Sequence, residues 1–113
     1  MVVVGQVARD LALRVDEAPG AGGTAVVRER IEVLGGKGAN QAVALAQLGC
    51  RAALVGVVGD DRHADEVCAR AVADGIDTRA VVRRTGVRTG LIVDVVDGDG
   101  RWRYLQDLSL IHI

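Results

Sequence analysis

A glycine-rich segment carrying a lysine and an asparagine is the part of the sequence best suited to hold a ligand. The segment reads Gly35-Gly36-Lys37-Gly38, and Asn40 follows in the first turn of a predicted helix. Glycines let a backbone approach a ligand closely, and the free N–H groups at a helix start favour an oxygen-rich or anionic ligand. Side chains of Lys37 and Asn40 could add donors. A glycine turn that leads into a helix explains the same residues equally well.

This segment departs from two common nucleotide-binding motifs. A P-loop requires Ser or Thr directly after its lysine, whereas Gly38 follows Lys37. The segment also lacks the G-x-G-x-x-G spacing of a dinucleotide site. Local spacing alone therefore predicts no nucleotide site here.

Asp10 is a second candidate for binding. It closely follows the apolar run Val2-Val3-Val4, at the carboxyl end of a predicted strand, where open α/β sheets bind ligands. Its carboxylate could accept hydrogen bonds from sugar hydroxyls, although a solvated turn residue is the favoured interpretation of Asp10 taken alone. The other polar and aromatic residues have simpler structural interpretations. Asp60 and Asp61 are expected to cap a helix, and His63 is expected to occupy an exposed helical position without a role. Trp102 and Tyr104 are expected to cover a face of the sheet rather than to stack on a ligand.

The pattern of apolar residues predicts which elements position these candidates. Strands are predicted over residues 2–4, 11–15, 27–33, 52–58, 80–82, 91–96 and 101–105, with a hairpin turn over residues 97–100. Helices are predicted over residues 39–48 and from the Asp60-Asp61 pair to Gly75. Strands that alternate with helices indicate a parallel sheet. The half-polar strands do not fit that sheet and indicate a small separate β layer. The first helix is apolar nearly all round, which predicts that it is well buried.

Composition limits the class of protein. The chain has 113 residues, 50 % of them hydrophobic, and 14 basic against 15 acidic residues give a net charge of −1. This predicts one globular domain and gives no reason to expect nucleic-acid or anionic-membrane partners. No apolar run approaches the ~18 residues of a membrane span, and no basic leader precedes Val2. Cys50 and Cys68 fit no metal or disulfide spacing, which predicts buried, reduced thiols and a cytoplasmic location.

Taken together, the motifs resemble those of the ribokinase-like (PfkB) carbohydrate kinases. The stretch Gly35-Gly36-Lys37-Gly38-Ala39-Asn40-Gln41-Ala42 is close to a signature of that family. Asp10, Leu48-Gly49, Gly59-Asp60-Asp61 and Thr89-Gly90 occur around it in the family's order, over residues 1–105. The resemblance implies an α/β fold, with a Rossmann-like α/β/α core, a parallel central sheet and a small β lid. In the family, the lid closes over the sugar and often forms a homodimer contact.

The resemblance also implies a set of substrate-binding residues. Asp10 would hold sugar hydroxyls, Gly36 would offer its backbone, and Lys37 and Asn40 would donate to sugar oxygens. Ile92 and Asp94 would lie on the lid strand that faces the sugar. Ribokinase-type chains usually carry Asn two residues before the aspartate, where this sequence has Ala8. That departure removes a polar contact and bears on ribose specificity. Ala64 replaces a common glycine, which we expect to affect only a turn.

The same resemblance implies ATP and Mg²⁺ as cofactors of a full-length enzyme and a small-molecule sugar as substrate. The family's catalytic aspartate lies in a Gly-Ala-Gly-Asp motif, and this sequence contains no such motif. We therefore expect residues 1–107 to be the N-terminal part of a kinase domain, inactive and without bound cofactor by itself. Alternatives are a nucleoside or sugar-phosphate kinase of the same family and a non-catalytic sugar-binding fragment.

The final six residues differ in character from the rest. Residues 108–113 read Leu-Ser-Leu-Ile-His-Ile, which is the translation of a transposase adapter used in sequencing libraries. We expect a non-native tail, so that His112 carries no function. A native strand with this sequence by chance is the alternative.

Overall fold

The computed structural model describes residues 1–108 and contains two helices and nine strands in that range. The strands are β1 (Val2–Val4), β2 (Ala8–Val15), β3 (Val27–Gly35), β4 (Ala52–Val55), β5 (Val57–Val58), β6 (Ile76–Asp77), β7 (Val82–Arg83), β8 (Gly90–Val96) and β9 (Trp102–Asp107). The helices are α1 (Lys37–Gln47) and α2 (Arg62–Ala73). The expected tail lies outside the described residues, except for Leu108.

The first sheet has the parallel arrangement that the sequence predicts. Strands β1, β4 and β6 form a three-stranded sheet in the order β1-β4-β6, and both pairings are parallel. Helix α1 packs against this sheet. The central residue of β1, Val3, is buried in the core, together with Leu54 of β4 and Ala39 of α1. Val2 and Val4 point to the opposite face of the sheet, which is exposed.

A second, four-stranded sheet forms the separate β layer. Its order is β3-β2-β8-β9, with β2 and β8 parallel and the two outer pairs antiparallel. The half-polar strands and the hairpin strands of the sequence thus belong to one layer. We call these four strands the lid sheet. The predicted α/β fold with a parallel sheet and a small β lid is confirmed.

One predicted strand is wrong in its extent. Residues 52–58 form two strands, β4 and β5, with Gly56 between them. Beyond Gly56 the chain leaves the first sheet, and β5 pairs with β7 instead. A side chain at Gly56 would meet the carbonyl oxygen of Gly5 at 2.7 Å, so the close approach of the two segments requires glycine there. The predicted strand at 80–82 is β7, one to two residues later, and β6 was not predicted.

The burial predicted for the first helix and for the two cysteines is also wrong. Only Gly38, Ala39 and Ala42 of α1 are fully buried, and Leu48 just beyond it is 79 % exposed, because the sheet covers one side of the helix. Cys50 is exposed in the turn between α1 and β4, and Cys68 is half-buried on α2; both are free thiols.

Across residues 1–108, no helix combines the length and apolar composition that a membrane span needs.

Candidate functional site

The glycine-rich segment places the start of α1 directly against the end of β1. Gly36 is the N-cap residue of α1, with φ +93°, and a Cβ there would lie 2.6 Å from the carbonyl oxygen of Gln6. A Cβ on Gly38 would lie 2.6 Å from the carbonyl carbon of Gly5. Both contacts are shorter than any side chain tolerates, so this packing requires glycine at both positions. Gly36 lends no side chain to cap α1.

Asp10 lies on β2, in the middle of the lid sheet, beside the same segment. Its strand neighbours are Val33 on β3 and Ile92 on β8. A Cβ on Gly35 would come within 2.6 Å of the Asp10 Cβ, so the glycine leaves room for the aspartate. Asp10 is half-buried as a result.

One cavity of about 260 Å³ brings all six candidate residues together. Its walls consist of the lid sheet on one side and the start of α1 on the other. The lining residues are Gln6, Asp10, Gly36, Lys37, Asn40, Ile92, Asp94, Tyr104 and Gln106. Lys37 and Asn40 are exposed at the mouth, whereas Ile92 and Asp94 are buried. A cavity of about 370 Å³ around Pro19 contains none of the six.

Two carboxyl groups dominate the electrostatics of the cavity. Burial, a hydrogen bond with Asp94 and the charge of Asp94 together raise the pKa of Asp10 to about 7. Among the described residues, Oδ1 of Asp10 and Oδ1 of Asp94 are buried without a hydrogen-bond partner. Buried polar atoms are normally paired, so two unpaired acceptor atoms in one cavity indicate a place for a donor.

Three lining residues were not identified from the sequence as site residues. Gln6 lies in the link between β1 and β2, where no motif marks it. Tyr104 and Gln106 are on β9, and the register places them opposite Asp94 and Ile92. Their alternation along the return strand was visible in the sequence, but only the pairing of β8 with β9 brings that face to the cavity.

A network around Asp61 ties α2 to the strand that carries Asp94. Asp61 accepts hydrogen bonds from the Ala64 N–H (3.0 Å), the Thr89 N–H (2.9 Å) and the Thr89 hydroxyl (2.6 Å). The Thr89 hydroxyl oxygen in turn accepts from the Gly59 N–H at 3.1 Å. Burial would raise the pKa of Asp61, but the bonds from Thr89 and Ala64 outweigh it and lower the pKa. The prediction of a cap at Asp60 or Asp61 is confirmed for Asp61, and Ala64 is a buried residue of the first helical turn.

His63 is less isolated than the sequence indicated. It is half-buried, and its Nδ1 lies 3.4 Å from Oε2 of Glu66. Glu32 of the lid sheet joins them, with ligand-type atoms of the three residues within 4.8 Å of one another. The guanidinium of Arg9 donates to Glu32 at 2.9 Å and lowers the pKa of that carboxyl. The ion pair of Arg9 with Glu32 lies within the lid sheet, and the guanidinium of Arg70 on α2 reaches across to donate to the backbone carbonyl oxygen of Glu32.

The lining residues of the cavity are chemically suited to a small ligand that offers several hydrogen-bond donors. Carboxylates of Asp10 and Asp94 accept hydrogen bonds, and the amides of Asn40, Gln6 and Gln106 can both donate and accept. This set suits a polyhydroxylated molecule. It suits a nucleotide polyphosphate poorly, because the buried side chains are acidic.

The fold is that of an α/β protein with a β-sheet lid beside a polar cavity, and comparisons with known proteins agree with this class of fold. The sequence matches the pfkB family carbohydrate kinase profile over residues 1–108. It is 37 % identical over 98 residues to the ribokinase of Bacillus subtilis (86 % of this chain, 33 % of the relative). It is 38 % identical over 96 residues to the ATP-dependent ribose-1-phosphate kinase of Halopiger xanaduensis (85 % and 32 %).

A solved structure supports the same assignment. The ribokinase of Arabidopsis thaliana, solved in complex with ribose and ATP, superposes with a TM-score of 0.77 at 29 % identity, covering 94 % of this chain and 35 % of that one. This chain belongs to the pfkB family of carbohydrate kinases. It spans about a third of the length of these relatives.

Proposed function

We propose that this chain forms the sugar-binding part of an ATP-dependent carbohydrate kinase that phosphorylates a hydroxyl of a ribose-like sugar. Asp10 accepts hydrogen bonds from the sugar, Gly36 offers its backbone, and Lys37 and Asn40 donate to sugar oxygens. Ile92 and Asp94 close the cavity from the lid sheet. One observation carries this proposal: these six residues line a single cavity of about 260 Å³.

ATP and Mg²⁺ are assigned to the whole enzyme rather than to this cavity. ATP supplies the phosphoryl group, and catalysis of its transfer rests on positioning and charge stabilisation. The described residues contribute the positioning of the acceptor. The 113 residues contain no Gly-Ala-Gly-Asp motif, so the catalytic base is not assigned to any residue of this sequence.

A sugar phosphate is the strongest alternative substrate, because one relative is named as a ribose-1-phosphate kinase. The buried acids Asp10 and Asp94 argue against a phosphate deep in the cavity, although exposed Lys37 could meet one at its mouth. A nucleoside kinase and a sugar-binding fragment without catalysis are the further alternatives. The cytoplasmic location stays a prediction.

We also propose that the whole enzyme forms a homodimer through the lid sheet. Trp102 and Tyr104 of β9 stack on each other with ring centroids 6.3 Å apart, and both are largely exposed. Exposed paired aromatic side chains are typical of protein interfaces.

Ligand-observed NMR of this chain with ribose, adenosine and ribose 1-phosphate tests the proposal. We expect ribose to bind, and Asp10→Ala to weaken that binding by about tenfold or more, because a hydrogen bond to a charged group contributes roughly 1.5–3 kcal/mol. Asp16→Ala is the control, since Asp16 is an exposed residue directly after β2, bonded to Arg28 and outside the cavity. An Asp10→Ala variant with unchanged affinity for ribose would contradict the site assignment.

A chimera gives the same test inside a complete domain. In it, residues 1–107 replace the matched third of the Bacillus subtilis ribokinase. We expect ATP-dependent phosphorylation of a sugar by the chimera, with KM for the sugar raised by Asp10→Ala and left unchanged by Asp16→Ala. Preferential phosphorylation of adenosine or ribose 1-phosphate would assign the substrate to one of the alternatives.

A further inference from the structure

Asp94, the more deeply buried acid of the cavity, forms part of its wall but has no assigned bonding partner in the sugar. Its residue is 5 % exposed, and its Oδ1 has no hydrogen-bond partner among residues 1–108. Asp94 lies opposite Ala12 on β2, two positions from the partner of Asp10, so both aspartates share one face of the lid sheet. Successive odd or even positions of paired strands face the same side. The lid sheet therefore presents two acids to one cavity.

Apart from the hydrogen bond between them, no buried cation among the described lining residues balances these two acids. Of the residues that line the cavity, only Lys37 carries a positive charge, and Lys37 is exposed at the mouth. The remaining lining side chains are neutral. Buried carboxylates are costly unless a cation or several donors compensate them. Burial is the largest cause of the raised pKa of Asp10, and a hydrogen bond with Asp94 and the nearby charge of Asp94 raise it further.

We propose that Asp10 and Asp94 form an acid pair that selects an amino sugar, with the ammonium group of the sugar held by both carboxylates. This inference rests on the proposed function and narrows its substrate class. An ammonium group offers three donors and a positive charge, whereas a hydroxyl offers one donor and no charge. Charge-assisted hydrogen bonds are shorter and roughly twice as strong as neutral ones. A phosphate at this depth would meet two buried acids and would be repelled.

Matched pairs of ligands test this inference directly. The panel contains D-ribose with its 2-amino-2-deoxy and 3-amino-3-deoxy derivatives, and D-glucose with D-glucosamine. Binding is measured at neutral pH by calorimetry or ligand-observed NMR, on this chain and on the chimera with the Bacillus subtilis ribokinase. We expect at least one amino sugar to bind about tenfold more tightly than its hydroxyl parent, within the range of a hydrogen bond between charged groups.

The variant Asp94→Asn removes the charge and keeps the size of the side chain. We expect it to reduce the ratio of the two affinities to about threefold or less, since an amide retains one acceptor but no charge. Asp16→Asn makes the same change of net charge at an exposed position directly after β2 and should leave the ratio unchanged. Thermal unfolding of each variant verifies that the fold is retained.

The possible outcomes separate this inference from the proposed function. If the parent sugars bind and no amino derivative binds more tightly, or if the preference survives Asp94→Asn, the inference is overturned and the sugar site stands. If neither parent nor amino sugars bind to the chain or to the chimera, the proposed function fails and takes the inference with it.

Discussion

At the scale of single residues, two aspartates on neighbouring strands make the cavity acidic. Asp10 and Asp94 are 84 positions apart in the sequence, yet the parallel pairing of β2 with β8 places them on one face. Burial, a hydrogen bond with Asp94 and the charge of Asp94, in that order, raise the pKa of Asp10 to about 7. The folded chain therefore holds a proton on Asp10 over a pH range in which the unfolded chain has released it.

This difference predicts a pH dependence of stability. A raised pKa in the folded state contributes stability that is fully present below about pH 4 and is lost as the pH rises through about 7. We expect the stability of the chimera relative to its Asp10→Asn variant to fall between pH 5 and pH 8. Thermal unfolding at a series of pH values measures it.

Asp16→Asn provides a comparison of opposite sign. The bond and charge of Arg28 lower the pKa of Asp16, so its contribution is present above about pH 4 and is lost as the pH falls. Identical pH profiles for the parent protein and the Asp10→Asn variant would contradict the account of the acid pair.

At the scale of elements, Asp61 both caps α2 and links the start of this helix to the segment before β8. Asp61 caps the helix through the Ala64 N–H, and it accepts two further bonds from Thr89, next to the first residue of β8. Since β8 carries Ile92 and Asp94 into the cavity, the position of the cavity wall depends on this link. The Gly-Asp-Asp and Thr-Gly motifs, 30 residues apart at Gly59 and Thr89, are two halves of one contact.

We expect Asp61→Ala to destabilise the fold by roughly 2 kcal/mol, about half from the lost helix cap and the rest from the lost bonds to Thr89. Asp60→Ala should cost less, because the N-cap of α2 is Asp61 and the bond that the Gly86 N–H donates to Asp60 is exposed. Urea unfolding of the chimera compares the two variants, with Thr89→Val completing a double-mutant cycle. Equal losses for Asp60→Ala and Asp61→Ala, or no coupling between Asp61 and Thr89, would count against this link.

At the scale of the whole molecule, the two faces of the first sheet differ in coverage. In β1, the side chain of Val3 is 8 % exposed beneath α1, whereas Val2 and Val4 are 69 % and 62 % exposed on the other face. Strand β1 is also at one edge of the three-stranded sheet. Apolar side chains on an open sheet edge favour association with other molecules. We therefore expect the 113-residue chain to be marginally stable and prone to aggregate.

Substitutions at neighbouring positions of β1 distinguish aggregation from loss of stability. We expect the double variant Val2→Thr and Val4→Thr to increase the monomer fraction with little change in stability, because the threonines remain in solvent. Val3→Thr should instead lower stability by about 1–3 kcal/mol, because it buries a hydroxyl in the core. Sedimentation velocity and thermal unfolding measure the two quantities. A soluble monomer with a cooperative thermal transition in the unchanged chain would contradict this prediction.

Local sequence patterns were enough to predict the class of fold, and the family resemblance indicated six of the nine residues that line the cavity. Val2-Val3-Val4 and the Ala- and Leu-rich stretch after Asn40 gave a strand and a helix, because hydrophobic period and propensity are local properties. The glycines at 35, 36 and 38 marked the site, since Gly36 and Gly38 are required by close backbone contacts and Gly35 leaves room for the Asp10 side chain. The family resemblance that these motifs carry is confirmed.

Which residues meet and which stay exposed depends on how distant parts of the chain pack together. Gln6, Tyr104 and Gln106 join the cavity through strand register, which is a long-range property that no local pattern encodes. Leu48 and Cys50 were predicted to be buried but are exposed, because a side chain is buried only where another element packs over it. The pairing of Asp10 with Asp94 has the same origin: two separate strands must align before either charge affects the other.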